Sequence, residues 1–375
     1  MYLKTLHLRQ FRNYREQQVE FLASKTILVG DNAQGKSNLL EAVALLATLK
    51  SHRTARDRDL IREGEAAGSL AATLARETGP VELAITLRSN SRRTCAVNGS
   101  CVRRQLDFLG ILNAVQFSSL DLDLVRGGPE TRRNWLDALV VQLEPVYAHY
   151  LHQYQQVLRQ RNALLKRIQK SEASRESAEL ALWDAQLAVA GSRVTRRRSR
   201  AIERLAPLAS VWHLLISGRT ERLEIRYAPH IGAVCELPVR DSPEKVRHAF
   251  LEQIRQKAIA ELHQGTSLVG PHRDEIELTI NGTPARAYGS QGQQRTLVLA
   301  LKLAELKLIE EVVGEPPLLL LDDVLAELDP HRQHQLLDAI QERFQTLITT
   351  THLGSFEGGW LKQSQILSVS GGKIV

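Results

Sequence analysis

Cysteine, aromatic side chains and long apolar runs are all scarce in this chain, and each scarcity removes a class of protein. The 375 residues include three cysteines, Cys95, Cys101 and Cys235, with no C-x-x-C pair. That argues against a disulfide framework or a zinc site and fits reduced, ordinary thiols. Aromatic residues make up 5% of the chain. None alternates with the arginine-rich runs described below, so no stacking platform for single-stranded bases is indicated. No stretch reaches the ~18 uncharged apolar residues of a membrane-spanning helix. The start, Met1-Tyr2-Leu3-Lys4, is followed by charges at Arg9, Arg12 and Arg15 and lacks the apolar core of a secretion signal. A cytoplasmic location and no membrane partner are expected. Internal repeats and low-complexity linkers are also missing.

What remains is a chain of ordinary globular composition, 43% hydrophobic and 24% charged. Its length suggests two domains, or one discontinuous one. The net charge is +7 and the sequence pI about 9.4, which favours an anionic partner such as nucleic acid.

The densest chemical signal is the run Gly30, Asp31, Asn32, Ala33, Gln34, Gly35, Lys36, Ser37. It completes the pattern G-x-x-x-x-G-K-[ST]. Thr26-Ile27-Leu28-Val29 before it reads as a buried strand. Asn38 to Leu49 after it reads as a helix with Leu39, Leu40, Val43, Leu46 and Ala47 on one side. Strand, loop and helix in that order are the context this phosphate loop requires. Backbone N–H groups would cradle phosphate oxygens, helped by the helix start. Lys36 can reach the β- and γ-phosphates and the Ser37 hydroxyl can hold Mg²⁺.

A second carboxylate-bearing element fits the first. Pro316 to Asp329 reads PPLLLLDDVLAELD, a strand too apolar for a sheet surface that ends in Asp322-Asp323. At the carboxyl end of a parallel strand, Asp322 would orient Mg²⁺. Asp323 would then polarise the attacking water as general base. About thirty residues earlier, Ser290-Gln291-Gly292-Gln293 opens an apolar helix running from Thr296 to Val313. Ser290, Gly292 and Gln293 make a second helix-start anion site, although Ser is also a frequent ordinary N-cap.

Between these ends the texture changes. Tyr2 to Leu8, Val81 to Leu87, Leu223 to Tyr227 and Glu275 to Ile280 read as strands. Asn98-Gly99 and Asn281-Gly282 read as hairpin turns. From Thr131 to about Leu205 strand signals vanish, and two or three long helices are expected. The reading is an α/β head built from residues 1–118 and 266–375, with a helical second lobe at 119–265.

The order phosphate loop, helix-start signature, acidic strand resembles the ABC ATPases. There the signature of one subunit caps the γ-phosphate held by another. Further segments narrow the resemblance to the RecF family of SMC-like ABC ATPases, whose heads have a mixed β-sheet core and an inserted helical lobe. They are Phe11-Arg12-Asn13-Tyr14, Ser51-His52-Arg53-Thr54, Leu122-Asp123-Leu124-Val125 and Gly270-Pro271-His272-Arg273-Asp274. With them stand GSQGQQRT (289–296) and LLLLDDVLAELD (318–329). SMC proteins insert hundreds of heptad residues between the two halves; here the insert is short.

The resemblance implies ATP and Mg²⁺ as cofactors, ATP-driven head-to-head dimerisation and slow, DNA-stimulated hydrolysis that reverses it. The implied partners are double-stranded and gapped DNA, and RecR with RecO in helping to load RecA. It also implies residue roles. His352 resembles the switch histidine at the γ-phosphate, or is a surface-loop histidine. Gln116 resembles the glutamine that links Mg²⁺ to the helical region. Arg12 is placed at the α-phosphate, and Asn38 closes the loop's contacts. Arg53 and Arg56 compete for the role of an arginine that couples DNA to ATP. Ala326-Glu327-Leu328-Asp329 resembles the D-loop, with Ala in place of the usual Ser.

Ser192 to Arg200 places Arg193, Arg196, Arg197 and Arg198 on one helix, where they can neutralise DNA phosphates or form a solvated face. Two other readings stay open: the nucleotide-binding subunit of a membrane transporter, and a scaffold in which ATP acts as interface glue without useful turnover.

Overall fold

The computed structural model describes residues 1–171, 177–231, 242–340, 343–356 and 358–374; Cys235 lies outside them. The chain divides into two compact units, Met1–Leu122 with Arg295–Val375, and Asp123–Gln294. The first unit is therefore assembled from both chain ends. Its second segment begins at 295, about thirty residues later than the expected 266, so Ser290, Gly292 and Gln293 fall in the second unit.

The first unit holds two sheets. In one, six antiparallel strands run in the order Tyr14–Glu20, Tyr2–Phe11, Ala67–Arg76, Gly79–Arg88, Thr94–Val97, Ser100–Cys101. Alternation explains them: Leu83, Ile85 and Leu87 are buried while their neighbours face outward or are half covered. Asn98 and Gly99, with φ of 50° and 76°, close the last hairpin as a primed turn. Cys95 and Cys101 are free thiols.

The other sheet positions the chemistry. Its order is Lys373–Ile374, Gln365–Ser370, Lys25–Val29, Thr346–Thr350, Leu318–Asp322, Ala114–Ser118. The last five run parallel and the edge strand antiparallel. Parallel strands are covered on both faces and read as continuous apolar runs; Ile27, Leu28 and Leu318 to Leu321 are at most 1% exposed. The register aligns Val29 with Thr350, Thr349 with Asp322, and Asp322 with Ser118. Four strands thus end together at one edge.

The second unit contains the helices Pro129–Leu143, Tyr147–Ser171, Ser177–Ile216 and Pro243–Gln264. A three-stranded sheet accompanies them: Thr283–Pro284, Glu275–Ile280, Leu223–Ala228. The two longest helices pack antiparallel: Arg167 pairs with Glu179 at 2.9 Å and Arg161 with Asp184 at 2.7 Å. Among the described residues no helix is long and apolar enough to cross a membrane.

Candidate functional site

The phosphate loop leaves the Lys25–Val29 strand at the aligned sheet edge and enters the helix Lys36–Thr48. Its glycines are dictated by close approach. A Cβ at Gly30 would lie 2.3 Å from the Val369 carbonyl oxygen, and one at Gly35 2.6 Å from Asn13 Nδ2. Gly35 also has φ of 115°, a conformation L side chains avoid. Asp31, Asn32 and Ala33 form the exposed crest, with Ala33 left-handed at φ 64°.

The loop is held from outside. Asn13 Nδ2 donates to the Gln34 carbonyl at 2.8 Å, and Asn38 Nδ2 donates to Asn13 Oδ1 at 2.8 Å. Tyr14 OH donates to the Gly35 carbonyl at 3.0 Å. From the C-terminal hairpin, Gly371 N–H donates to Gln34 Oε1 at 2.7 Å and Gly372 N–H to the Gln34 carbonyl at 3.0 Å. The Lys36 ammonium donates to the carbonyls of Gly30 (2.6 Å) and Asp31 (2.9 Å).

Facing this loop across the sheet edge are the two aspartates. Asp322 closes its strand, and Thr349 Oγ1 donates to its Oδ1 at 2.8 Å. The same hydroxyl accepts the Asp323 N–H at 2.9 Å. Asp323 is left-handed, φ 54°, a conformation aspartate tolerates better than most residues. Burial raises its pKa above the ordinary value, and the neighbouring Asp322 charge adds to this against the pull of Lys36. The Ser37 hydroxyl and Asp322 carboxylate are hard oxygen donors of the kind Mg²⁺ accepts. No cluster of three His, Cys, Asp or Glu is found among the described residues, so any Mg²⁺ here would keep waters or substrate oxygens as further ligands.

The remaining candidates are more scattered. His352 follows the Thr346–Thr350 strand, is exposed, and its Nδ1 lies 3.0 Å from Thr351 Oγ1. Gln116, expected to link Mg²⁺ to the helical region, lies inside the strand Ala114–Ser118, opposite Leu320. It shares a face with Asp322 but stands two residues back along the strand, about 6–7 Å. Its Nε2 is buried without a hydrogen-bond partner.

Arg12 sits left-handed at φ 53° and grips Glu41 with both Nε (2.9 Å) and a terminal nitrogen (2.6 Å). Arg53 reaches Asn38 Oδ1 at 2.6 Å and Glu41 at 3.4 Å, and Ser51 Oγ donates to Glu41 at 2.5 Å. Arg56 is exposed. The fully buried Glu41 thus gathers three groups around the phosphate-loop helix, and it was not anticipated. Asn13 and Thr349, which hold the loop and the aspartates, were not singled out either, although Asn13 lies in one of the segments carrying the family resemblance.

In the second unit, Ser290 and Gln293 form a reciprocal capping box. Ser290 N–H donates to Gln293 Oε1 at 2.8 Å, and Gln293 N–H to Ser290 Oγ at 3.2 Å. Ser290 is exposed and Gly292 half-buried. The arginine run splits by face. Arg193 is exposed and Arg196 half-buried; Arg193 and Arg197 lie over the Tyr150 ring at 5.3 and 4.3 Å. Arg197 also pairs with Glu144 at 3.0 Å.

Arg198 departs from its expected place on a DNA-facing surface. Its side chain is 3% exposed and bound to Asp137 at 2.8 Å and Asp274 at 3.3 Å, so DNA phosphates cannot reach it. The spacing held the signal: Val194, Arg198, Ala201 and Leu205 follow one helical face, and the three apolar members are buried.

A phosphate loop and an aspartate pair at one carboxyl edge of a parallel sheet, with a capped signature in a separate unit, define an ABC-type ATPase head. The chain belongs to the RecF/RecN/SMC N-terminal domain family, which it matches over residues 2–372, and within it to the RecF proteins of the SMC-like superfamily. It is 72% identical over 377 residues to the DNA replication and repair protein RecF of Nostoc punctiforme, covering 100% of this chain and 99% of that protein. A solved structure of the recombination mediator protein RecF with ATP, in the RecFOR pathway, superposes with a TM-score of 0.91 at 32% identity, covering 100% of this chain and 97% of that one. The Smc head of Pyrococcus furiosus shares the fold, with a TM-score of 0.55 at 17% identity, covering 100% of this chain and 96% of that one.

Proposed function

We propose that this chain is an ATP-dependent DNA-binding protein of replication and recombinational repair. ATP drives two copies together head to head, and slow, DNA-stimulated hydrolysis separates them. The observation that carries the reading is the register that ends the strands of Lys25–Val29, Thr346–Thr350 and Leu318–Asp322 at one edge, so that Lys36, Ser37, Asp322 and Asp323 share it. The residues Gly30 to Asn38 hold the phosphates, and Lys36 exchanges its two carbonyl partners for phosphate oxygens. Ser37 and Asp322 would hold Mg²⁺, which would supply charge neutralisation of the phosphates. Asp323 takes the proton of the attacking water.

Ser290, Gly292 and Gln293 of the second copy cap the nucleotide held by the first. Arg12 and His352 contact its phosphates. The exposed Arg193, with Arg196 and either Arg53 or Arg56, meets duplex phosphates near gaps and junctions. RecR, with RecO, is the protein partner in helping to load RecA, a reading supported by the RecFOR relative.

Light scattering tests the dimer. Wild-type protein should double in mass with a non-hydrolysable ATP analogue, whereas Lys36→Met and Ser290→Arg should remain monomeric. A wild type that stays monomeric when saturated with the analogue at high protein concentration would overturn the reading.

A further inference from the structure

The Ser177–Ile216 helix, which carries Arg193, ends in a pinned turn. Gly218 and Arg219 are both left-handed, at φ 65° and 62°. Arg219 N–H returns to the Leu214 carbonyl at 2.7 Å and Gly218 N–H to Leu215 at 3.2 Å, a helix-terminating pattern. Thr220 Oγ1 donates to the Ser217 carbonyl at 2.6 Å. On the far side, Arg222 and Asn281 exchange two hydrogen bonds at 2.8 and 2.9 Å. Glu221 is therefore anchored before and behind.

Its carboxylate is shared between two elements. One oxygen lies 3.7 Å from Nε2 of His213, a ring with no exposed side-chain surface on the last turn of the long helix. The other accepts Gln293 Nε2 at 2.9 Å. The Gln293 amide is thereby held at both ends, because its Oε1 is the acceptor for Ser290 N–H. The planar Gln293 amide thus joins Glu221 to the N-cap of the signature, and the other Glu221 oxygen lies against His213 at the end of the long helix. Without Glu221 that amide is free to rotate and release Ser290.

We propose that Glu221 is a positioning residue. It holds the Ser290–Gln293 turn in the shape that caps nucleotide, and it ties that turn to the helix bearing Arg193, so that duplex phosphates on the helix act on the signature. This rests on the nucleotide-capping role of Ser290 proposed above.

The full-length chain is assayed for affinity to a fluorescent ATP analogue, ATP turnover with and without duplex DNA, and ATP-driven self-association. Glu221→Ala should lower turnover and self-association about tenfold, the effect of losing a hydrogen bond to a charged group. It should also abolish stimulation by DNA, and leave affinity for the analogue within about twofold. Gln293→Glu places two carboxylates face to face and should act alike. Combining it with Glu221→Gln restores one donor and one acceptor, so the double variant should turn over ATP and self-associate better than Gln293→Glu alone. A double variant as impaired as Gln293→Glu alone would overturn the inference. So would wild-type turnover and DNA stimulation in Glu221→Ala while Ser290→Arg abolishes self-association. If Ser290→Arg itself has no effect, the capping role falls and the inference with it.

Discussion

Asp323 shows how much one backbone conformation decides. In its left-handed conformation the main chain turns out of the strand directly after Asp322, while Thr349 holds both residues through a single hydroxyl. Burial first, and the Asp322 charge second, keep its pKa above the 3.8 of an ordinary aspartate. A general base works only when ionised, so turnover should decline on acidification at a pH above that of an unperturbed aspartate. Asp323→Asn should lower the turnover number by about 10²–10⁴, remove that acid limb from the pH profile, and leave affinity for an ATP analogue intact. Steady-state kinetics across pH measures all three. An Asn variant that has lost hydrolysis yet keeps activity in repair would favour the ATP-held scaffold. The aspartate is one methylene shorter than the glutamate of fast ABC enzymes, and slow turnover is the outcome expected of it.

At the scale of elements, the phosphate-loop helix is the informative case. Leu39, Leu40, Val43, Leu46 and Ala47 are all buried, as their spacing requires. Glu41 lies among them with no exposed surface, and periodicity alone marks it as misplaced. Its partners come from a strand end (Arg12) and from the loop after the helix (Ser51, Arg53), so only tertiary contacts reveal why it is tolerated. Burial pushes its pKa up. Hydrogen bonds from Arg12 and Ser51 and the charges of Arg12 and Arg53 outweigh that, and the net shift is downward. The sign follows: the stabilisation is present above the unfolded-state value of about 4.3 and is lost as pH falls through the lower folded value. Glu41→Gln should cost about 1–3 kcal/mol at neutral pH. Urea denaturation as a function of pH should show that difference shrinking below about pH 4.

For the whole molecule, net charge is a poor guide to where nucleic acid binds. Of the basic residues, Arg161 and Arg198 are buried in ion pairs with Asp184 and Glu261, and with Asp137 and Asp274. Removing Arg198 leaves the buried Asp137 and Asp274 carboxylates with neutral donors from Tyr147, Tyr227 and the His230 N–H but without their charge partner, so Arg198→Ala should destabilise the second unit by about 3–5 kcal/mol. Arg193→Ala removes one contact with the Tyr150 ring, so it should cost no more than about 1 kcal/mol of stability and weaken duplex binding. The slope of log affinity against log salt should fall by ~0.9 for each DNA phosphate no longer neutralised. Thermal unfolding and salt titration of DNA binding separate the two variants.

The elements themselves were legible, because strand alternation, the phosphate loop and primed Asn-Gly turns are local signals written within a few residues. The sequence alone determined that this chain has a phosphate loop, an acidic strand after an apolar run, a capped signature helix and a helical insert. Only the tertiary structure decided which arginines face water, that Gln116 lies within a strand, that residues 1–122 and 295–375 form one unit, and that Glu41 and Glu221 sit where they do. Each of these depends on pairings between distant residues; local periodicity marks a charge on a buried face, as at Glu41 and Arg198, but not the partner that satisfies it.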